Sequence, residues 1–167
     1  QQAGLTPVYY TDDAHTMIYK TGNVDVTSSQ VKWTANGYRL PTEAEWEKAA
    51  RGGLVGQRFA RGNLINQNVA NYHGRTAEPY DLGPNGFHQR YEVGAPPYTS
   101  PVGSFAANGY GLHDIEGNVW EWCSDWFGAY EAGAPSDPKG ATLGSVRVLR
   151  GSGWNDDAGY CRAAFRY

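Results

Sequence analysis

The chain is poor in cysteine and histidine, and this scarcity excludes several classes of metal site. Its 167 residues include two cysteines, Cys123 and Cys161, and four histidines that stand at no short ligand spacing from them. A structural zinc site needs four such ligands, usually in closely spaced pairs. We therefore expect no zinc centre of the four-cysteine type, and the cysteines form either one disulfide or two separate thiols.

Basic charge and long apolar runs are also scarce. The formal net charge is −3, and lysine and arginine form no cluster, so we expect no nucleic-acid partner. No apolar stretch approaches the roughly 20 residues of a membrane helix, and we expect no membrane span. The first residues lack the pattern of a signal peptide, which suggests a mature, internal or trimmed chain.

Glycine and aromatic residues, in contrast, are plentiful. Glycine numbers 22 and aromatic residues make up 14% of the chain. This combination favours a loop-rich fold in which large rings fill the core and glycines permit tight backbone turns. The length suits a single domain over 1–167.

One helix is predicted with clear signals at both ends, within residues 39–53. Thr42 is a good N-cap, and Glu45 three residues later completes a capping box. The pair Gly52-Gly53 supplies a C-terminal stop. We interpret the three glutamates of this helix as capping and solvated groups rather than as a catalytic cluster.

Short apolar runs predict a few strands. Residues 5–10 and 17–20 resemble a small hairpin, 146–151 is typical of a buried strand, and 161–167 alternates as a strand does. The glycine-rich stretch 54–100 is too long for a simple connection, so we expect an ordered loop region there. The pair Asn71-Tyr72 and the acids Glu78, Asp81 and Glu92 are possible ligands there, and we expect most of them to face solvent instead.

The stretch 117–126 combines large apolar rings with many oxygen-bearing side chains. Trp120 and Trp122 share a strand face and Trp126 follows at helical spacing, so we expect all three in the core. Interleaved with them are Asp114, Glu116, Asn118, Glu121 and Asp125. Two interpretations stay open: a tryptophan-rich core flanked by solvated acids, or a calcium site, because calcium takes six to eight oxygen ligands.

Five motifs in order resemble a known family. They are Arg-Leu-Pro-Thr-Glu-Ala-Glu-Trp-Glu at 39–47, Pro-Val-Gly-Ser-Phe at 101–105, Asn-Gly-Tyr-Gly-Leu at 108–112, Gly-Asn-Val-Trp-Glu-Trp at 117–122 and Arg-Val-Leu-Arg-Gly-Ser at 147–152. Together they resemble the formylglycine-generating enzyme, or sulfatase-modifying-factor, family. The resemblance implies an α+β, loop-rich fold related to the C-type lectin fold. It also implies that the family's N-terminal region would precede Gln1 and its closing strand would follow Tyr167.

The resemblance implies two calcium sites. The ligands that match the first are the side chains of Asp114 and Glu121 and the carbonyls of Gly117 and Val119. The second family site uses an asparagine, the next carbonyl and a downstream aspartate. Asn71 and Tyr72 match the first two, and Glu92 stands near the position of the third.

The copper-binding cysteines of the family are missing. The family's enzymes bind Cu(I) through two cysteines after the Gly-Gly-Ser motif, and thiolates suit this ion. The matching stretch, 152–161, has no cysteine at those positions. Cys161 matches a family cysteine that normally forms a structural disulfide, and Cys123 is the one remaining partner. Such a disulfide implies an extracytoplasmic location of bacterial type, whether periplasmic, cell-surface or secreted.

The loop after Gly151 also resembles the variable region of diversity-generating retroelement proteins, which are C-type-lectin-like binders. This resemblance implies a ligand surface at Trp154, Asn155, Asp156, Asp157, Tyr160 and Arg162, with Gly159 and Tyr167 as further candidates. An ordinary polar loop is the other interpretation.

Taken together, these features predict a non-catalytic, calcium-stabilised binding or structural domain. Its partner is expected to be a protein or glycan ligand, or other subunits of a larger assembly. The alternative is an oxidoreductase of the formylglycine-generating enzyme family, which acts on a sulfatase cysteine or in related sulfur and oxygen chemistry.

Overall fold

The computed structural model describes residues 4–130, 132–133 and 136–167. Within them, the regular elements are a 3-10 turn at Ser28–Gln30, helix α1 at Glu43–Arg51, strand β1 at Glu121–Trp126 and strand β2 at Arg147–Arg150. Turns and isolated bridges connect the rest. The expected loop-rich α+β architecture is therefore confirmed. In the described part of the chain, no helix has the length and apolar character that a membrane crossing requires.

Helix α1 begins and ends as its sequence signals predict. The Thr42 hydroxyl accepts the Glu45 N–H at 3.2 Å, and the Thr42 N–H donates to the Glu45 carboxylate at 2.8 Å. Gly52 then terminates the helix in the left-handed conformation, with φ of 54°. Trp46 and Ala50 are buried, and the helix contacts both strands of the sheet.

Glu43 corrects the prediction that the helix glutamates are solvated. It is buried, and its carboxylate accepts two bonds from Arg166, at 2.8 and 2.6 Å, and one from the Tyr130 hydroxyl at 3.1 Å. Glu47 binds the fully buried Arg150 at 2.5 Å. These arginines lie 123 and 103 residues away along the chain, so helix spacing alone could not reveal the network.

Strands β1 and β2 pair antiparallel and form a two-stranded sheet. The register places Glu121 opposite Arg150, Trp122 opposite Leu149 and Trp126 opposite Arg147, with an irregularity before the last pair. Strand β2 confirms the strand predicted at 146–151. The alternation along β1 buries Cys123 and leaves Trp122 with 55% of its surface exposed. The prediction of three buried tryptophans is therefore wrong for Trp122.

The predicted N-terminal hairpin is present only as single bridges. Tyr10 pairs with Ile18, and Tyr9 pairs with Val31. Because these bridges are isolated, residues 5–10 and 17–20 count as an irregular, hydrogen-bonded segment rather than as strands.

The predicted C-terminal strand is a series of turns. Cys161 and Ala163 are buried, as the alternation requires, but residues 161–164 form turns, and it is Tyr167 that exchanges two backbone bonds with Leu149 of β2. The Arg150 guanidinium donates to the carbonyl of Ala163 at 3.0 Å and to the carbonyl of Phe165. These side-chain bonds occupy carbonyls that a neighbouring strand would otherwise use.

Two apolar clusters fill the interior. One is built mainly by loop residues: Phe59, Ile65, Ala70, Tyr72, Ala158 and Cys161. The other joins α1 to the sheet and contains Trp46, Ala50, Cys123, Val148 and Ala163. The loops 114–121 and 152–162 carry most of the predicted site residues, and both contact the clusters: Ile115 packs against the second, and Ala158 and Cys161 belong to the first.

Candidate calcium loop and ligand-binding surface

The loop 114–121 is held in a tight path by backbone bonds. The Gly117 N–H donates to the Gly151 carbonyl at 2.7 Å, and the Asn118 N–H donates to the Asn71 carbonyl at 2.7 Å. Gly117 has φ of 75°, and a Cβ there would collide with the Asn71 carbonyl. Only glycine fits this position, so the close approach of two loops depends on it.

Asp114 lies at the start of this loop, and its carboxylate binds backbone N–H groups of the segment 103–105. One carboxylate oxygen accepts the Phe105 N–H at 3.0 Å, and the other accepts the Gly103 N–H. A carboxylate offers about four lone-pair sites. Both Asp114 oxygens therefore retain capacity for a cation.

Glu121 lies at the other end of the loop, in a partly buried position. One of its carboxylate oxygens accepts the Trp46 indole N–H at 2.8 Å. Burial raises the pKa of Glu121, and the bond from Trp46 only partly offsets this. No cationic side chain of the described residues pairs with it. A bound cation would supply the missing countercharge.

The four predicted donors of the first site fit calcium in chemistry, because all are oxygens. Where the chain is described, no group of three or more histidine, cysteine, aspartate or glutamate side chains could hold a metal ion. A calcium ion here would therefore depend on the carbonyls of Gly117 and Val119. The Val119 carbonyl borders the space left open by Gly151, lying 3.8 Å from the position of a Cβ there.

Glu116 is a buried carboxyl that the predicted ligand set does not use. Only 4% of its surface is exposed, and its carboxylate accepts the Ala60 N–H at 2.5 Å. Burial raises its pKa to about 7, an effect that the Ala60 bond and the distant charge of Arg61 oppose. It ties the loop 114–121 to the loop at residue 60.

The three residues predicted for the second calcium site have different surroundings. The Asn71 amide donates to the Tyr98 carbonyl at 2.8 Å, and the Tyr72 carbonyl accepts from Gln67 at 3.1 Å. Glu92, in contrast, is exposed. The carboxylate beside the Tyr72 side chain is Asp81, which is buried and is therefore an exception to the solvent-facing positions expected for most of these acids.

The two cysteines are buried and free. Cys123 belongs to the cluster around α1, whereas Cys161 belongs to the loop-built cluster. The structure does not join them, and it gives no support to the predicted disulfide. Burial raises the pKa of Cys123 to about 12 and raises the pKa of Cys161 further. The inference of an oxidising compartment from this pair loses its basis.

The predicted ligand residue Trp154 is half-buried in an aromatic cluster. Its ring centroid lies 5.3 Å from that of Phe87 and 5.1 Å from that of Tyr98. Phe87 also contacts the ring of His73 edge-on at 4.7 Å. Trp154 therefore anchors the loop and presents only part of its ring to solvent.

The two acids of the ligand loop are engaged within the protein. Asp156 accepts the indole N–H of Trp120 at 2.8 Å and the Gly153 N–H at 3.0 Å. Asp157 forms an ion pair with Arg75 at 2.8 Å. Neither Trp120 nor Arg75 was among the residues predicted for this surface, and no local spacing in the sequence indicates the contact of Trp120 with Asp156 or of Arg75 with Asp157.

The remaining predicted ligand residues are exposed. Asn155, Tyr160 and Arg162 all face solvent. The Tyr160 ring packs on Phe165 with centroids 4.7 Å apart, and the Arg162 Nε donates to the Gly159 carbonyl at 2.7 Å. The surface that a ligand can reach is therefore narrower than the predicted set.

A separate open groove of about 1080 Å³ lies between α1 and the segment that follows β1. The ion pair of Glu43 and Arg166 lies at its wall, and Leu54, Tyr110 and Leu143 are among its apolar lining residues. It shares no lining residue with the predicted ligand surface.

The chain is similar to a known protein family and to several known proteins. A family model described as the sulfatase-modifying factor enzyme 1-like domain matches residues 7–167. The formylglycine-generating enzyme of Streptomyces coelicolor is 41% identical over 160 residues, which cover 88% of this chain and 44% of that protein. The inactive C-alpha-formylglycine-generating enzyme 2 of Bos taurus is 40% identical over 123 residues, covering 73% and 34%.

Among solved structures, Treponema denticola variable protein 1 superposes with a TM-score of 0.67 at 32% identity. The match covers 98% of this chain and 56% of that one. The chain spans less than half the length of the curated relatives that it matches.

Proposed function

Because this chain belongs to the sulfatase-modifying factor enzyme 1-like family, we propose that it is a non-catalytic, calcium-stabilised binding domain. Its fold is that of the family, as the superposition on Treponema denticola variable protein 1 shows. The observation that carries the proposal is the state of its two thiols.

Copper-dependent oxidation of a cysteine needs two thiolates that a metal ion and a substrate can reach. Cys123 and Cys161 are both buried, lie in different apolar clusters and have raised pKa values. A buried, protonated thiol is a poor nucleophile and a poor metal ligand. The relative named as inactive supports the same conclusion.

Calcium is proposed for the loop that starts at Asp114 and ends at Glu121. Two carboxylates and two carbonyls would surround the ion, and Glu121 would gain a countercharge that the described residues do not supply. The ion would cross-link a loop that otherwise depends on backbone bonds to residues 71 and 151. A second ion at Asn71, Tyr72 and Glu92 remains a proposal.

Ligand binding is proposed for the exposed part of the loop 152–162. The structural likeness to a protein named as a variable protein favours this role. Tyrosine and asparagine suit it, because they provide contact area and adaptable hydrogen bonds. We also propose an extracytoplasmic location, in which calcium is abundant enough for a modest site.

The second candidate is an oxidoreductase. The 41% identity to a formylglycine-generating enzyme favours it, and the thiols would then have to come from outside the residues described. One assay separates the two candidates: the purified chain is incubated with Cu(I), oxygen and a cysteine peptide, and aldehyde formation is followed by mass spectrometry.

We expect no aldehyde from the chain, while an active formylglycine-generating enzyme run in parallel converts the peptide. Copper-dependent aldehyde formation would overturn the non-catalytic proposal. Metal analysis of the same preparation is expected to find calcium rather than copper or iron.

A further inference from the structure

A second cavity, of about 500 Å³, lies where three separate parts of the chain meet: His15, the segment 28–34 and the segment 139–142. Three basic side chains and four hydroxyl groups contribute to its lining, and among the described residues no aspartate or glutamate does. The cavity therefore offers positive charge and hydrogen-bond donors. It shares no residue with the loops 114–121 and 152–162.

Two lysines of this cavity have no acidic partner. Neither Lys32 nor Lys139 forms an ion pair with any residue that the structure describes. The Lys139 ammonium lies 4.7 Å from the centre of the Trp33 ring, and the Trp33 indole N–H donates to the Ser28 carbonyl at 3.0 Å. The ring is fixed by this bond and attracts the ammonium to one place. Lys139 therefore loses less side-chain entropy when it binds a ligand.

Three hydroxyl groups of the cavity are also available to a ligand. The side-chain oxygens of Ser28, Thr34 and Thr142 form no hydrogen bond with the residues that the structure describes. The fourth hydroxyl, that of Ser29, is already in use, because it donates to the Asp13 carboxylate at 3.0 Å. Two ammonium groups and three hydroxyl groups thus remain as donors.

Two acids lie near the cavity and keep their negative charge, because their partners are neutral. Asp13 accepts the Ser29 hydroxyl, and Asp12 accepts a neighbouring hydroxyl and two backbone N–H groups. Neither carboxylate lines the cavity. Coulomb energy falls with distance, so the two lysines that line the cavity act on a bound anion more strongly than these acids do. Arg39 also lies over the Trp33 ring, but it is paired with Glu45.

We propose that this cavity binds a phosphate or sulfate ester, whose tetrahedral oxyanion lies between Lys32 and Lys139. Lysine binds such groups as a compact point charge. A phosphate or sulfate ester presents three terminal oxygens, whereas a carboxylate presents two and can use fewer of the available donors. The site is additional to the proposed function, because it uses neither the loop 114–121 nor the loop 152–162.

The test is a titration of the whole, nitrogen-15-labelled chain with glucose 6-phosphate and glucose 6-sulfate, followed by NMR. The two esters share one sugar, so they distinguish a phosphate ligand from a sulfate ligand. The reporter is the indole N–H signal of Trp33, which lines the cavity and is identified by its loss in Trp33→Phe. Glucose and glucuronate serve as the neutral and the carboxylate control, and sodium chloride keeps the ionic strength constant.

We expect a saturable shift with at least one ester, weaker binding of glucuronate and none of glucose. Lys32→Met and Lys139→Met should each weaken ester binding about tenfold, as expected for the loss of a charge-assisted hydrogen bond. Lys20→Met is the matched control, since Lys20 is exposed and lies outside the cavity, and it should change binding less than about twofold. Asp13→Asn should tighten binding about twofold at low salt, because it removes a like charge.

Four outcomes would overturn the inference. They are no saturable shift with either ester, glucuronate binding as tight as that of the esters, ester binding that Lys32→Met or Lys139→Met leaves unchanged, and weaker binding by Asp13→Asn. Circular dichroism checks that each variant is folded. None of these results bears on the proposed function, which the cysteine-peptide assay and the metal analysis test separately.

Discussion

The loops 114–121 and 152–162 both carry several carboxylates, yet the fold gives Glu121 of the first and Asp157 of the second different partners. In the first loop, Glu121 is largely buried, with one indole N–H as partner and no countercharge among the residues that the structure describes. In the second, Asp157 forms an ion pair with Arg75, whereas Asp156 accepts two hydrogen bonds from neutral donors, the Trp120 indole and the Gly153 N–H. A carboxylate is thus available to a ligand only where the fold leaves its charge or lone pairs unmatched.

Of the changes expected at these two loops, the removal of calcium should have the largest effect on stability. At calcium about 1,000-fold above Kd, binding stabilises the folded state by about 4 kcal/mol. For a chain of this size, EDTA should then lower Tm by roughly 8–16 °C. Glu121→Gln should abolish the response, because it removes a charged ligand, whereas Glu92→Gln should retain it. Differential scanning calorimetry with and without EDTA measures both.

If Glu121→Gln responds to calcium as the wild type does, the loop 114–121 is not the site. An equal loss in Glu92→Gln would instead indicate that the second site accounts for the stabilisation.

The pH dependence of the metal-free protein gives the next largest effect. Burial raises the pKa of Glu116 from 4.5 to about 7, so between these values the folded state binds more protons than the unfolded state. Stability should therefore fall as pH rises from 5 to 8, by up to about 3 kcal/mol. Glu116→Gln should remove most of this slope in urea unfolding experiments.

Burial also raises the pKa values of Glu121 and Asp125, so a smaller slope of the same sign should remain in Glu116→Gln. The pKa of Glu45 is lowered to about 2, and its effect appears only below this pH window. Unchanged pH dependence in the variant would contradict the assignment to Glu116.

The ligand loop gives the smallest effect. Asp156→Ala would leave the Trp120 indole and the Gly153 N–H without their acceptor, at a cost of about 2 kcal/mol. The neighbouring Asn155→Ala should change stability by less than about 0.5 kcal/mol, since Asn155 is exposed. Thermal melts with and without calcium should show the same loss for Asp156→Ala. A calcium-dependent loss would mean that the two loops act as one unit.

Local signals predicted the parts of the fold whose causes are local. The cap at Thr42, the stop at Gly52 and strand β2 all appear where the sequence places them. The two strands expected near the N terminus and the one at 161–167 were wrong, because their pairing depends on distant groups. Arg150, for example, takes the carbonyls of Ala163 and Phe165 that a ladder would need.

In the candidate site, too, features with local causes were predicted and contacts between distant residues were not. Family motifs matched Asp114, Gly117, Val119 and Glu121 to one calcium site, and the structure places the first three in the loop before β1 and Glu121 at the first residue of β1. The contacts of the loop 152–162 could not be predicted from the sequence. Asp157 pairs with Arg75, which is 82 residues away along the chain, and Asp156 binds Trp120, which is 36 residues away. Contacts at such separations depend on how whole loops pack.

By itself, the sequence determined the family, the caps of the one helix, the absence of a thiol pair after residue 151 and the oxygen-rich loop before β1. These follow from residue identity and short spacing, which act within a few residues. Only the tertiary structure decided that Glu43 is buried, that Trp122 is exposed and that the two cysteines lie in separate clusters. Burial is a property of packing, and packing brings together residues whose separation along the chain carries no signal.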